Sequence, residues 1–325
     1  MNPKSVGSRV SLPLAAIAVL VIGGVLYAGP LDPPPGPVTS TGKTLAEVEP
    51  RIAINATNTP GDATSVYKIT QPGSYYLPRN VGGAAGKHGI VIATGGVTVD
   101  LNGFEVAGVP DSLVGVMVFT GAAANITIRN GTVRDWGSDG INTRNSGTIN
   151  ARVEQIIATG NTDYGIFVAA GTLVADCVAG GNGVTGIQTQ DGCIVRGCTA
   201  RGNVLTGIAV GFGCSIIDCS VVANSGNGIN AFGNCTITGT SAHSNSGSGI
   251  VAGFSSVTNC AAGNNGAHGI SSPGGSLVVN GCTSLVNSQN GIDAGPGCTI
   301  SNTIAGGNTQ NGISVGSAST LIGNT

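Results

Sequence analysis

The chain has 325 residues and a formal net charge of −2, with 13 basic and 15 acidic side chains. This balance leaves no basic surface of the kind that a nucleic-acid partner requires. The 56 glycines show no period of three, which excludes a collagen triple helix, and the length suits one or two domains.

Residues 1–28 have the pattern of an export signal. Lys4 and Arg9 give a basic start, and an apolar run shorter than a typical membrane span leads to a small-residue cleavage point after Ala28. Leu26 is a poor residue three positions before cleavage, so an uncleaved anchor is the alternative. We expect an exported protein that is extracellular, periplasmic or on the cell surface.

Three further segments follow the signal. Residues 29–43 are rich in proline ("GPLDPPPGPV") and predict an extended linker. Residues 44–81 predict an N-terminal cap, in which Ile69–Leu77 ("ITQPGSYYL") forms a strand pair over the first coil. Residues 82–325 form the repeat domain.

The repeat domain is marked by a Gly-Ile dipeptide that recurs every 20 to 25 residues, most often every 21. Its glycines are Gly140, Gly165, Gly186, Gly207, Gly228, Gly249, Gly269, Gly291 and Gly312. Weaker copies begin at Gly89 and Gly115, which gives about eleven units. A fixed period of this size predicts a solenoid.

The positions within each unit define three short strands. Counting the glycine as zero, apolar residues recur in pairs at +1/+3, +7/+9 and +12/+14, and residues two apart on a strand face the same side. No 3.6-residue period is present. The sequence therefore predicts an all-β fold, a parallel β-helix of about eleven coils with about 21 residues per coil, in which stacking buries the inward side chains.

All nine cysteines fall into this register. Positions +7 and +12, or their neighbours in coils of changed length, hold Cys177, Cys193, Cys198, Cys214, Cys219, Cys235, Cys260, Cys282 and Cys298. Neither their spacing nor the three histidines matches a zinc site, so no metal is expected. Disulfides are an alternative in an exported protein, but parallel side chains and an odd count favour buried, reduced thiols.

From the unit of Gly165 onward, an asparagine always lies four residues before the glycine, at a predicted turn. This column contains Asn161, Asn182, Asn203, Asn224, Asn245, Asn265, Asn287 and Asn308. Stacked amides can bond the coils above and below, so we expect an asparagine ladder.

The repeat resembles the right-handed parallel β-helix repeat proteins of the pectate-lyase-like superfamily. The resemblance is carried by the Asn-x-x-x-Gly-Ile steps, by Val97–Val106 ("VTVDLNGFEV") and by Asn130–Ile141 ("NGTVRDWGSDGI"), and it covers residues 65–325. It implies right-handed coiling and a link to polysaccharides. Lyases of this superfamily bind Ca²⁺ through acidic residues and use Arg as base, so Ca²⁺ is expected only if the chain is a lyase; otherwise no cofactor is expected.

Charged residues around positions +10 and +11, at a predicted strand corner, are the feature that would suggest such a lyase. They are Asp100, Arg129, Glu154, Asp176, Arg196 and Asp218, on successive coils. The acids alternate with arginines instead of clustering, so surface ion pairs are the favoured interpretation.

The best candidate for ligand binding is the turn that contains the one tryptophan, together with the equivalent turn one coil later. Its residues are Arg134, Asp135, Trp136, Asp139, Asp163 and Tyr164. An aromatic face beside carboxylates suits a sugar ring. The alternative is structural, because Trp136 occupies the position that asparagine holds in the next coil. A second aromatic column, Phe212, Phe232 and Phe254, is expected to fill a corner of the core, with an outward sugar platform as its alternative.

These patterns favour an exported module that binds carbohydrate or acts at the cell surface, without demonstrable catalysis. One alternative is a polysaccharide lyase or hydrolase of the pectate-lyase-like type. Another is a structural or adhesive rod, which the charge-poor second half favours. Partners are then a polysaccharide or a cell-surface glycan, and the uncapped last coil, from Gly312, predicts self-association.

Overall fold

The structure is a computed structural model that describes residues 48–119, 124–144 and 151–325. The repeat lies in the compact unit Arg51–Thr325, whose described regular elements are all strands. The predicted signal and linker, residues 1–43, lie outside the described residues. Within the described ranges, no helix is long and apolar enough to cross a membrane.

Each coil contributes strands to three parallel sheets. The first sheet has twelve described strands: Ser65–Ile69, His88–Ile92, Val116–Val118, Ile141–Asn142, Ile166–Val168, Ile187–Thr189, Ile208–Phe212, Ile229–Gly233, Ile250–Ala252, Ile270–Ser272, Ile292–Ala294 and Ile313–Val315. These are the Gly-Ile strands, with one strand added before them.

The second and third sheets share two long strands, Ile126–Arg134 and Arg152–Thr159, which pass through both. The other strands of the second sheet are Ile52–Ala53, Gly73–Tyr76, Val97–Asp100, Leu173–Ala175, Ile194–Arg196, Ser215–Ile217, Thr236–Thr238, Ser256–Thr258, Val278–Asn280, Thr299–Ser301 and Thr320–Ile322. Those of the third sheet are Val81–Gly82, Glu105–Ala107, Val178–Gly180, Thr199–Arg201, Ser220–Val222, Ser241–His243, Ala261–Gly263, Thr283–Leu285 and Ile304–Gly306.

Successive coils pair in parallel and in register. Ile208, for example, is the partner of Ile187 in the preceding coil and of Ile229 in the next. A parallel solenoid with about 21 residues per turn is thus confirmed. The stack gains a coil relative to the eleven predicted, because Ser65–Ile69 pairs in parallel with His88–Ile92 although it lacks the Gly-Ile dipeptide.

The core is the narrow space between the three sheets, and the predicted inward pairs fill it. In the coil that begins at Gly207, the side chains of Ile208, Val210, Cys214 and Ile216 are all buried. All nine cysteines are buried free thiols, as the register predicted for their positions. Their small apolar side chains suit a core of this width.

The asparagine ladder is confirmed and its amides are fully hydrogen-bonded. The Nδ2 of Asn224 donates to the Oδ1 of Asn245 at 2.9 Å and to the carbonyl of Ala200 at 3.2 Å. Its Oδ1 accepts from the backbone N–H and the Nδ2 of Asn203. In the inner amides of the column, such as that of Asn224, both donors and both acceptor sites are used, so these buried polar groups fix the turn without a desolvation penalty.

The charged corner contains ion pairs at its first coils. Asp100 is nearly buried and accepts from Arg129 at 3.1 Å and from Arg51 at 3.2 Å. Arg152 pairs with Glu154 within one strand. These contacts support the ion-pair interpretation for three of the six corner residues, Asp100, Arg129 and Glu154.

Candidate ligand-binding surface

Two of the predicted site residues lie at the end of a strand of the third sheet: Arg134 is the last residue of Ile126–Arg134, and Asp135 follows it. The guanidinium of Arg134 donates to Glu105 at 2.9 Å and 3.2 Å, and also to its neighbour Asp135. The hydrogen bond to Glu105 is the main cause of a raised Arg134 pKa. Arg134 and Asp135 are therefore held in an ion-pair group with Glu105.

Trp136 does not offer a ring face to a ligand. Its side chain is 1% exposed, and its indole N–H donates to the carbonyl of Val106 at 3.0 Å. Its backbone N–H donates to the Oδ1 of Asn161 at 3.2 Å, so Trp136 heads the asparagine column. The structural alternative holds for this residue, because its position in the repeat is an inward one.

The structure brings the remaining three predicted site residues together where the chain enters the first sheet. They are Asp139, Asp163 and Tyr164. The backbone N–H of Tyr164 donates to the Oδ1 of Asp139 at 3.2 Å, and Ser138 donates to Asp163 at 2.9 Å. Asp139 is buried, and burial is the main cause of its raised pKa. The buried Asp139 carboxylate thus holds the backbone of this turn through a hydrogen bond, while Asp163 and Tyr164 are partly exposed.

Three neighbours that the sequence did not single out complete an Asp139 cluster, which comprises Asp139, Asn142, Arg144, Tyr164 and Phe167. The Nδ2 of Asn142 donates to Asp139, and the guanidinium carbon of Arg144 lies 4.7 Å from the ring centroid of Phe167. Tyr164 contacts the same ring edge-on at 4.8 Å. Asn142 and Phe167 both hold position +2, which faces outward on the first sheet, and that register could have identified them.

The prediction that the second aromatic column fills the core is wrong. Phe212, Phe232 and Phe254 are 56%, 57% and 56% exposed and form a Phe ridge at the corner where the chain leaves the first sheet. The rings of Phe212 and Phe232 are 6.4 Å apart and tilted by 36°. A Cβ added to Gly233 would lie 3.2 Å from the Phe212 ring, and one added to Gly274 would lie 3.3 Å from the Phe254 ring. These two rings therefore lie over glycines of the next coil, with their outer sides in solvent.

Phe254 also has an unusual backbone conformation. Its φ is +50°, in the left-handed region that Gly213 and Asn234 adopt at the same corner of the two preceding coils. A bulky side chain is rarely found there, because the conformation costs about 1–2 kcal/mol in a residue with a Cβ. Strain of this kind concentrates at functional sites.

A shallow groove of about 400 Å³ runs beside the ridge. Its lining consists of Ala170, Thr189, Gln190, Asp191, Gly211, Phe212 and Phe232. The Oδ1 of Asp191 accepts the backbone N–H of Phe212 at 2.8 Å, and the Oε1 of Gln190 accepts that of Ala170 at 3.2 Å. Aromatic faces and hydrogen-bonding groups thus lie side by side.

A His268–Asp293 pair lies further along the first sheet. The Nε2 of His268 is 3.7 Å from Asp293, and its Nδ1 accepts the backbone N–H of Asn290 at 3.3 Å. The Nδ2 of Asn290 donates to Asp293 at 2.8 Å. The Nδ1 of His268 is therefore engaged as an acceptor, while its Nε2 faces Asp293. Over the described ranges, no three His, Cys, Asp or Glu side chains are grouped to hold a metal ion.

A family model described as a right handed beta helix region matches residues 79–216 and 189–325. The chain belongs to the right-handed β-helix family. This confirms the predicted resemblance and supplies the handedness of the coils. No curated protein sequence matches the chain.

Solved structures of other right-handed β-helix proteins are similar in fold. The A-module of the Azotobacter vinelandii mannuronan C-5 epimerase AlgE4 has a TM-score of 0.51 and 16% identity, over 77% of this chain and 88% of that one. The A-module of AlgE6 from the same organism has a TM-score of 0.51 and 17% identity, over 85% and 78%. A mutant of the periplasmic alginate epimerase AlgG has a TM-score of 0.53 and 12% identity, over 79% and 76%. At these identities the likeness establishes the fold alone.

Proposed function

We propose that this β-helix protein binds a polysaccharide along the Phe ridge and does not cleave it. The observation that carries the proposal is the ladder of exposed Phe212, Phe232 and Phe254 rings, one per coil. Large exposed aromatic groups that repeat side by side mark binding surfaces on soluble proteins. Each ring presents an apolar face of the size of a sugar ring.

The geometry favours an extended chain over a small ligand. Adjacent coils are about 4.8 Å apart, so the ridge places successive ring faces in a row along the solenoid axis. Gln190 and Asp191 lie in the groove beside the row, where their remaining oxygen and nitrogen sites can bond hydroxyl groups. The names of the similar epimerases, which refer to mannuronan and alginate, support a polysaccharide ligand.

The non-catalytic part of the proposal rests on the groove lining. Glycosidic bond cleavage usually uses at least two positioned acid–base groups. Asp191 is the one titratable side chain among the residues that line this groove, and its Oδ1 already accepts a backbone N–H.

A polysaccharide lyase or hydrolase is the second candidate function. One observation favours it: the Asp139 cluster combines a carboxyl of raised pKa with Tyr164 and Arg144 on the outer face of the first sheet. The same assay must therefore examine binding and product release. A purely structural or adhesive rod would show neither.

The proposal includes export. The basic and apolar pattern of residues 1–28 supports it, although this segment lies outside the described residues. Export would bring the protein into contact with extracellular or periplasmic glycans.

Affinity electrophoresis of the full chain in gels that contain polysaccharides tests the proposal. The double variant Phe212→Ser/Phe232→Ser should lose about tenfold or more in affinity, because it removes two central aromatic contacts. The control Ile194→Ser removes an apolar side chain of similar exposure from the second sheet and should bind normally. Equal retardation of all three proteins would refute the ridge as the site, and release of unsaturated or reducing sugars would refute the non-catalytic part.

A further inference from the structure

We infer that the Phe ridge selects an uncharged glycan over an acidic one. This inference rests on the proposed polysaccharide binding and names the class of its ligand. It follows from the distribution of charge around the ridge, from the way the rings lie, and from the polar groups at their side.

The ridge lies in the part of the chain that has no permanently charged basic side chain. Residues 202–325, which contain all three rings, include no Lys or Arg. A polymer of uronic acids carries one carboxylate per sugar and needs cations to compensate its desolvation on binding. The coils of the ridge supply none.

Basic residues of other coils are too distant to compensate. Arg144, at the same corner as the ridge, precedes the coil of Phe212 by three coil steps, or about 14 Å at ~4.8 Å per coil. The Debye length at physiological ionic strength is about 8 Å, so solvent ions screen most of this attraction. Arg196 and Arg201 end strands of the second and third sheets, which face other sides of the solenoid.

The one charged side chain in the groove has the wrong sign for an acidic polymer. Asp191 is exposed, and its Oδ1 is held against the backbone N–H of Phe212. Its charge therefore stays beside the first ring of the ridge. It repels a carboxylate, whereas a hydroxyl group can donate to it.

The rings are placed for stacking with an uncharged sugar face. Phe212 and Phe254 rest on Gly233 and Gly274, which keeps each ring low on the corner and leaves its outer side open. An aromatic face attracts the weakly positive C–H groups of a pyranose and gains from removing them from water. This contact needs no charge.

A second copy of the chain is the competing occupant of the ridge. A stable protein interface buries about 800 Å² per partner. The ridge is one ring wide, and polar side chains form its border: Gln190, Asp191 and Asn230. A narrow apolar row with a polar border fits a single glycan chain better than a protein face.

Titration calorimetry of the full chain with hexasaccharides tests the inference, with cello- and manno-oligosaccharides as neutral probes and alginate and polygalacturonate oligosaccharides as acidic ones. At least one neutral probe should bind with an affinity that changes less than about twofold between low and physiological salt. The acidic probes should bind about tenfold more weakly or worse at low salt. Asp191→Asn, which keeps the oxygen that accepts the Phe212 N–H, should raise the affinity for acidic probes by about two- to fivefold at low salt and should not raise the affinity for the neutral probe.

The outcomes separate this inference from the proposed function. Equal or tighter binding of the acidic probes that Phe212→Ser/Phe232→Ser abolishes would overturn the uncharged class and leave polysaccharide binding in place. Affinities that the double variant does not change, or no binding of any probe or polymer, would overturn both. If sedimentation shows that the wild type is a dimer and that this double variant is a monomer, the occupant of the ridge is a second copy of the chain and not a glycan.

Discussion

The ring of Phe254 lies over Gly274 of the next coil, and a Cβ on this glycine would be 3.3 Å from the Cε2 of the ring. The glycine thus sets the height of an exposed aromatic ring at the corner of the solenoid. Its own φ is not in the left-handed region, so a substitution tests the ring and not the backbone.

Gly274→Ala should lower the affinity for a bound glycan by about three- to tenfold, because the new methyl group tilts the Phe254 ring out of the row. The melting temperature should change little, since an exposed ring can give way. Gly82→Ala, in the Val81–Gly82 strand far from the ridge, is the control, because a Cβ there meets nothing within 4 Å and its φ is not in the left-handed region. Calorimetric titration of both variants with a bound glycan compares their affinities. Indistinguishable affinities would remove Phe254 from the site.

Phe254→Asn should separate stability from binding. Asn tolerates the left-handed conformation, so the variant should gain about 1 kcal/mol in the free energy of unfolding while it loses glycan affinity. Phe212→Asn, at a residue without positive φ, should lose affinity with no such gain. Chemical denaturation of the three proteins measures this, and a destabilised Phe254→Asn protein would contradict the strain argument.

Asn224→Asp should cost about 3 kcal/mol or more. The substitution replaces the two N–H donors to Asn245 and Ala200 by an acceptor oxygen, which leaves buried acceptors facing one another. Asn264→Asp alters an exposed residue beside the ladder and should be close to neutral. If the two variants unfold at the same denaturant concentration, the ladder does not contribute as described.

Asp139 should make stability depend on pH. Burial raises the pKa of this carboxyl in the folded protein, so the folded state holds the proton more tightly than the unfolded chain. The stability that this adds is fully present below the unfolded pKa and is lost as the pH rises through the folded pKa. The free energy of unfolding of the wild type, relative to Asp139→Asn, should therefore fall from acid to neutral pH. A difference that stays constant or grows with pH would contradict this.

The register of the core could be predicted from the sequence because stacking repeats the same environment every coil. Ile208 and Cys214 are buried since their columns are buried, and Trp136 is buried because it holds the asparagine position. The repeat could not predict that the side chains of the Phe ridge point outward. Their direction depends on the backbone at one corner and on the glycines of the following coil, Gly233 and Gly274, which the period does not encode.

The contacts that cross coils diagonally were also missed. His268 meets Asp293 because position −1 of one coil lies beside position +2 of the next. Asp139 and Asn142, at positions −1 and +2 of a single coil, are hydrogen-bonded to each other. The residues in these contacts differ in type from coil to coil, so no column of identical residues marks them in the sequence.

Saturation-transfer NMR with cellohexaose and mannohexaose tests the central claim most directly. Irradiation of the aromatic protons of the wild-type chain should transfer saturation to the C–H protons of a bound glycan, since exposed phenylalanine rings form the contact. The variant Phe212→Ser/Phe232→Ser/Phe254→Ser should fold and show no transfer. Transfer of equal strength in the wild type and this variant would contradict the Phe ridge as the binding surface.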